Sequence, residues 1–118
     1  MDLYLIELAV ADWSASVAWY RDVLGLVAER IDEANRFALF HAGASRVALK
    51  AGEPKPGGAR LYFQVTSLLR ELERLAALGA PACGPVKANC EGYRRAFVRD
   101  PDGYCVGLFE WNAATRPK

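Results

Sequence analysis

Phe97-Val98-Arg99-Asp100-Pro101-Asp102-Gly103-Tyr104-Cys105-Val106-Gly107-Leu108-Phe109-Glu110 reads as a strand, a tight turn and a second strand. Pro101 fixes φ at the first corner of the turn, Asp102 tolerates the second, and Gly103 accepts positive φ at no steric cost. Apolar residues flank the turn on both sides, so the strands of this hairpin are at least half buried. Asp100 and Asp102 resemble a catalytic carboxylate pair, but the turn accounts for them as residues that hydrogen-bond their own backbone. The rest of the chain is laid out by what pairs with this hairpin.

From the N-terminus, Leu3 to Val10 is a nearly all-apolar strand with one carboxylate, Glu7, at its centre. Asp12 and Ser14 are candidate N-caps for a helix from Ser16 to Leu24 that Gly25 ends, and Val17, Tyr20 and Leu24 fall on one face of it. Leu26 to Ile31, Phe37 to His41 and Arg46 to Lys50 are three further short strands. Gly52-Glu53-Pro54-Lys55-Pro56-Gly57-Gly58 is a linker by its prolines and glycines. After it the pattern restarts: Arg60 to Val65 is a strand, Ser67 an N-cap, and Leu68 to Leu78 a helix closed by Gly79. The buried stripe of that helix is Leu68, Leu72, Leu75 and Ala76. Weaker strands follow around Pro85-Val86-Lys87 and from Tyr93 to Arg99, and the last runs from Tyr104 to Glu110.

The halves superpose, with Val10 on Val65, Asp12 on Ser67, Leu24-Gly25 on Leu78-Gly79 and Ala42-Gly43 on Asp102-Gly103. Each half is β-α-β-β-β, an internal repeat. The expected fold is α+β: tandem βαβββ modules whose mostly antiparallel sheets each carry a helix on one face and enclose a cleft with the other. Residues 1–118 form one domain in this reading, with module one at 1–51, the linker at 52–58, module two at 59–111 and a frayed tail at 112–118.

Composition narrows the function. The chain has 118 residues, 53% of them hydrophobic, enough for one domain with a real core. Its 15 basic and 14 acidic residues give a net charge of +1, no footprint for nucleic acid or an anionic membrane. No apolar run approaches the ~20 residues of a membrane span, and Met1-Asp2-Leu3 opens no signal segment. Cys83, Cys90 and Cys105 lack paired spacing and read as reduced thiols, which points to the cytoplasm.

Val10-Ala11-Asp12 before the first helix, Trp19-Tyr20-Arg21-Asp22-Val23-Leu24-Gly25-Leu26 at its end and Asp100-Pro101-Asp102-Gly103-Tyr104 in the last hairpin resemble the vicinal oxygen chelate superfamily. That superfamily includes glyoxalase I, extradiol dioxygenases, fosfomycin-resistance enzymes and bleomycin-resistance proteins. The resemblance spans about residues 3 to 111 and speaks for the fold, not for a reaction. It implies a divalent metal held by side chains, typically His and Glu, from the central strands of both modules. Carried over one at a time, the ligand positions fall on Leu5, Ala48, Arg60 and Gly107. Leu, Ala and Gly side chains bear no donor atom and a guanidinium repels a cation, so no metal and no other cofactor is expected. His41, the sole histidine, sits at a strand end before a turn and reads as a surface residue.

If the vacated positions face the cleft, strand alternation places their neighbours two residues away there too. The candidate ligand-binding residues are then Leu5, Glu7, Arg46, Arg60, Tyr62, Gln64, Arg95, Phe97, Gly107 and Phe109, with Ala48, Lys50 and Cys105 beside them. The opposite parity, Ile6, Leu8, Val47, Leu49, Leu61, Phe63, Val65, Val106 and Leu108, is uniformly apolar, as a helix-covered face should be. Polar groups converging among aromatics suit a small molecule: Arg60 and Arg95 engage an anionic or oxygen-rich group while the rings stack on a flat one. Alternatively, Glu7 and Arg60 pair with each other where a metal would stand.

The leading functional expectation is a metal-independent protein that binds or sequesters a small molecule, similar to the bleomycin-resistance branch. The alternative is a metal-independent lyase or isomerase, with Glu7 as general base, its pKa raised by apolar surroundings, and Arg60 stabilising an oxyanion. A structural or regulatory module is the third. The resemblance also implies a homodimer, for which Trp13, Trp19 and Trp111 are candidate contact aromatics; burial against their own sheet is the equal alternative for Trp13 and Trp19.

Overall fold

The computed structural model describes residues 1–88 and 92–112. Its contacts divide the chain into two compact units, Met1–Pro56 with Asp100–Asp102, and Gly57–Arg99 with Gly103–Lys118. The division falls inside the Gly- and Pro-rich linker, where Pro56–Gly58 forms a single 3₁₀ turn.

In the first unit, strands β1 (Ile6–Val10), β2 (Ala28–Asp32), β3 (Phe37–Ala42) and β4 (Ser45–Ala51) form a sheet in the order β1-β4-β3-β2. β1 runs parallel to β4 and the other pairs are antiparallel. The register sets Leu8, Leu49 and Ala38 in one row across β1, β4 and β3, and Ile6, Val47 and Phe40 in the next. Helix α1 (Trp13–Ala18) packs on β4, and Val10, Tyr20, Phe40 and Leu49 become fully buried beneath it. Burial of each large apolar side chain stabilises by about 1.5–3 kcal/mol before conformational entropy is set against it.

α1 starts earlier than the apolar spacing suggests, because Asp12 is the N-cap and accepts the Ala15 N–H at 3.1 Å. Ser14 lies inside the helix, where its hydroxyl oxygen accepts from Arg36 Nη1 at 3.4 Å. From Trp19 to Leu24 the helix widens to π spacing and ends at Gly25, φ 90°, with the Gly25 and Leu26 N–H groups both donating to the Tyr20 carbonyl. The widened turn coincides with dense tertiary contacts at Tyr20, whose ring lies 4.9 Å from Trp19 and 6.3 Å from Phe40. Trp13 is buried at 5% exposure, so it is a core residue and not a free contact aromatic; Trp19 and Trp111 are half-buried.

The hairpin tip does more than turn. Gly103 has φ 89° and the Asp102 N–H donates to Asp100 Oδ1 at 2.9 Å, as the turn chemistry requires. Beyond this, the buried Tyr20 hydroxyl donates to Asp100 Oδ2 at 2.7 Å. The buried Ser16 hydroxyl and the Ala11 N–H donate to Asp102 at 3.3 and 3.2 Å. The carboxylates thus fasten the tip to both ends of the first helical segment, which is why Asp100–Asp102 belongs to the first unit.

In the second unit, β5 (Arg60–Gln64), β6 (Lys87–Ala88), β7 (Tyr93–Arg99) and β8 (Cys105–Trp111) repeat the pattern in the order β5-β8-β7-β6, with β5 parallel to β8. Helix α2 (Leu68–Ala77) is capped by Ser67, whose hydroxyl accepts the Arg70 N–H, and its Leu68 N–H donates to Glu110 Oε1 at 2.8 Å. It closes at Gly79, φ 87°. Leu68 and Leu75 are buried and Leu72 is half-buried, whereas Ala76, expected in the stripe, is exposed. No helix among the described residues is long and apolar enough to cross a membrane. Cys90 and residues 113–118 lie outside the described residues.

Candidate functional site

Strand alternation gives the second sheet two unlike faces. Leu61, Ala96, Val98, Val106 and Leu108 are buried on the side where α2 packs against β7 and β8. The other side is read in rows from the register. Tyr62, Gly107 and Phe97 form one row; Gln64, Phe109, Arg95 and Lys87 the next; Arg60, Cys105 and Arg99 flank the first, and Trp111 and Tyr93 flank the second. Sequence parity therefore assigned Arg60, Tyr62, Gln64, Arg95, Phe97, Cys105, Gly107 and Phe109 to one face, and the structure brings them together there. It adds Tyr93 and Trp111, which the same parity along β7 and β8 identifies, and Lys87, whose two-residue strand is too short for parity to place.

Gly107 is the floor of the first row. A Cβ at this position would meet Tyr62 Cδ1 at 2.8 Å, Tyr62 Cε1 at 3.0 Å and Phe97 Cε1 at 3.1 Å. Without a side chain there, the Tyr62 and Phe97 rings converge over the backbone edge-to-face, with centroids 5.7 Å apart. The Arg95 and Arg60 guanidinium carbons lie 5.3 and 5.9 Å from the Phe97 centroid. Tyr93, Phe109 and Trp111 form a second aromatic group, with centroid separations of 5.3 to 5.6 Å. The described residues of this face carry the cations Arg60, Lys87, Arg95 and Arg99 and no Asp or Glu.

The corresponding face of the first unit is different in charge. Arg46 donates from Nε to both oxygens of Glu29 at 3.0 and 3.2 Å and lies 4.4 Å over the Tyr4 ring. Lys50 Nζ donates to the Asn35 carbonyl at 2.6 Å. Arg46 is thus already ion-paired with Glu29 within its own sheet, and Lys50 is held by a backbone carbonyl of the β2–β3 turn. His41 is exposed, its Nε2 3.4 Å from Glu29 Oε1, as a surface histidine should be. Leu5 is half-buried just before β1, Ala48 is fully buried, and Glu7 is exposed, so its own sheet does not supply the apolar enclosure expected around a general base.

These residues do not suit a divalent ion. Leu5 and Ala48 offer no donor, Arg60 is cationic, and the space at Gly107 is filled by aromatic carbon. Among the described residues no three His, Cys, Asp or Glu come together in a way that could hold a metal.

Comparison with known proteins agrees with this fold. The model of the Glyoxalase/Bleomycin resistance protein/Dioxygenase superfamily matches residues 3–108. The chain is 30% identical over 119 residues to Virulence protein STM3117 of Salmonella typhimurium, covering 90% of this chain and 81% of that protein. Among solved structures it resembles TnmS3, an antibiotic binding protein from Streptomyces sp. CB03234, with TM-score 0.79 and 23% identity over 95% of this chain and 97% of that one. It also resembles lactoylglutathione lyase from Agrobacterium tumefaciens, with TM-score 0.76 and 21% identity over 92% of each chain.

Proposed function

The chain belongs to the glyoxalase/bleomycin resistance protein/dioxygenase superfamily, and within it we propose that this protein binds or sequesters a small aromatic molecule bearing an anionic or oxygen-rich group, without a metal. The observation that carries this reading is the face of the second sheet, without Asp or Glu among the described residues, where Tyr62 and Phe97 converge over Gly107 beneath Arg60 and Arg95. A flat ring gains area and edge-to-face contact from the aromatics, and a carboxylate or phenolate gains charge-assisted hydrogen bonds from the guanidiniums. An antibiotic-binding neighbour of the same fold makes sequestration a natural use of such a face.

Titration with 2-naphthoate, followed by the quenching of intrinsic aromatic fluorescence, tests the proposal. Binding is expected, with Arg95→Gln weakening it about tenfold, the size of one lost charge-assisted hydrogen bond. An unquenched protein at saturating naphthoate, or an Arg95→Gln protein that binds as well as its parent, would sink it.

The same proposal has the chain act as a homodimer in the cytoplasm. Ile6 is 38% exposed on β1, an edge strand, and Leu3 and Tyr4 just before it are 68% and 57% exposed, apolar area that a second copy could cover. Cys83 and Cys105 are free thiols, which suits a reducing compartment. Sedimentation equilibrium should return twice the chain mass; a monomer at micromolar concentration would refute the dimer.

A further inference from the structure

Lys87 on β6 stands directly opposite Arg95 on β7. Like charges directly opposite one another across an antiparallel pair are destabilising. Among the described residues neither has an ion-pair partner, in contrast to Arg46 with Glu29 and Arg94 with Glu110. Both line a cavity of about 190 Å³ whose remaining walls among the described residues are Cys83, Gly84, Pro85 and Phe97, none of them acidic.

The cavity is held open by local structure. The Cys83 N–H donates to the Phe97 carbonyl at 2.7 Å and ties the loop after α2 to β7. Gly84 turns that loop at φ 86°, a conformation in which a side chain would be strained. Its volume is several times the ~30 Å³ that one water occupies in the liquid, enough for a tetrahedral oxyanion.

We infer that this cavity is the subsite for a dianionic head group of the phosphate monoester or phosphonate type, carried by the aromatic ligand of the proposed function. A single carboxylate can satisfy the Arg95 fork but leaves the Lys87 charge facing it unmatched. A tetrahedral dianion presents three oxygens, enough to bridge a planar guanidinium and a compact ammonium together. Phe97, which touches both this cavity and the Tyr62 row, places the head group next to the ring it would be joined to. The inference rests on the aromatic-binding reading for the ring but on Lys87 and Arg95 for the head.

Isothermal titration of the intact protein with phenyl phosphate, benzoate and inorganic phosphate, at neutral pH and low salt, separates the two. Phenyl phosphate is expected to bind about tenfold more tightly than benzoate, the equivalent of one further charge-assisted contact. Lys87→Gln, a change on an exposed edge strand, should lower phenyl phosphate affinity about tenfold and erase that preference. Equal affinities for phenyl phosphate and benzoate, or a Lys87→Gln protein that binds phenyl phosphate as its parent does, overturns the subsite while leaving the aromatic reading intact. Inorganic phosphate bound in a Lys87-dependent way, with no affinity for benzoate, upholds the subsite and overturns the aromatic reading. No binding of any of the three overturns both.

Discussion

Asp100→Ala is expected to lower the thermal unfolding midpoint by roughly 10 °C, corresponding to about 2–3 kcal/mol for a chain of this size. Asp100 is 5% exposed and Tyr20 is fully buried, so their 2.7 Å hydrogen bond lies where water cannot replace a lost partner. The substitution removes the acceptor of the Tyr20 hydroxyl and, at the same time, the acceptor of the Asp102 N–H. Bonds to a charged group contribute about 1.5–3 kcal/mol each, and stranding a buried donor is worse than never having had one. Tyr20→Phe removes the donor instead and should cost about 1–2 kcal/mol. If the pair acts as a unit, the double variant loses less than the two single losses added together, because both remove the same bond. Paired melts followed by circular dichroism read all three. A drop of under about 2 °C for Asp100→Ala would place this contact with exposed pairs of little worth, and the tip would then be an ordinary turn.

That contact also marks the limit of what was legible in the chain. Pro101, Asp102 and Gly103 have a sufficient local explanation, and the local explanation is right: Gly103 takes positive φ and Asp100 accepts from Asp102. Nothing in a turn's composition reveals that the same carboxylates also reach residues some 80 positions away, because hydrogen bonds at that separation are decided by how elements pack. The widened turn at Trp19–Leu24 was hidden for the same reason, and packing likewise decides between the two readings the sequence leaves open for Trp13, in favour of burial. By contrast, the repeat and the strand parity were legible, since each depends only on period and on which residues can tolerate burial. Val106 and Leu108 inward with Cys105, Gly107 and Phe109 outward is one alternation, and one residue of slip would have inverted it. The site was legible to the same depth. Parity assigned Arg60, Tyr62, Arg95 and Phe97 to one face, but not Lys87, because a strand of two residues is too short to announce its register.

Gly107→Ala is expected to weaken 2-naphthoate binding by roughly 30- to 100-fold while leaving the unfolding midpoint within a few degrees of the parent. The added methyl would sit 2.8 Å from Tyr62 Cδ1, closer than real Cβ atoms approach other atoms, and a tight 3.1 Å from Phe97 Cε1, so the Tyr62 ring must move while Phe97 need give only a few tenths of an ångström. Tyr62 is 43% exposed and can swing into solvent, whereas Phe97 is half-buried beneath two guanidiniums. The edge-to-face pair is therefore lost by displacement of Tyr62, and with it the surface that a flat ligand would rest on. Stability is spared because the clash is relieved at the free end of a side chain, and replacing glycine recovers about 0.4–1 kcal/mol from the unfolded state. The route through Tyr62 is itself testable: in a Tyr62→Ala background the alanine at position 107 has no Tyr62 ring to displace and only the milder 3.1 Å approach to Phe97 remains, so it should weaken binding much less than it does in the parent. Undiminished naphthoate affinity in the Gly107→Ala protein would mean that the ligand does not rest on Tyr62 and Phe97. A second full loss in the Tyr62→Ala background would instead place the methyl itself in the ligand's path, making bare backbone at position 107 the contact that matters.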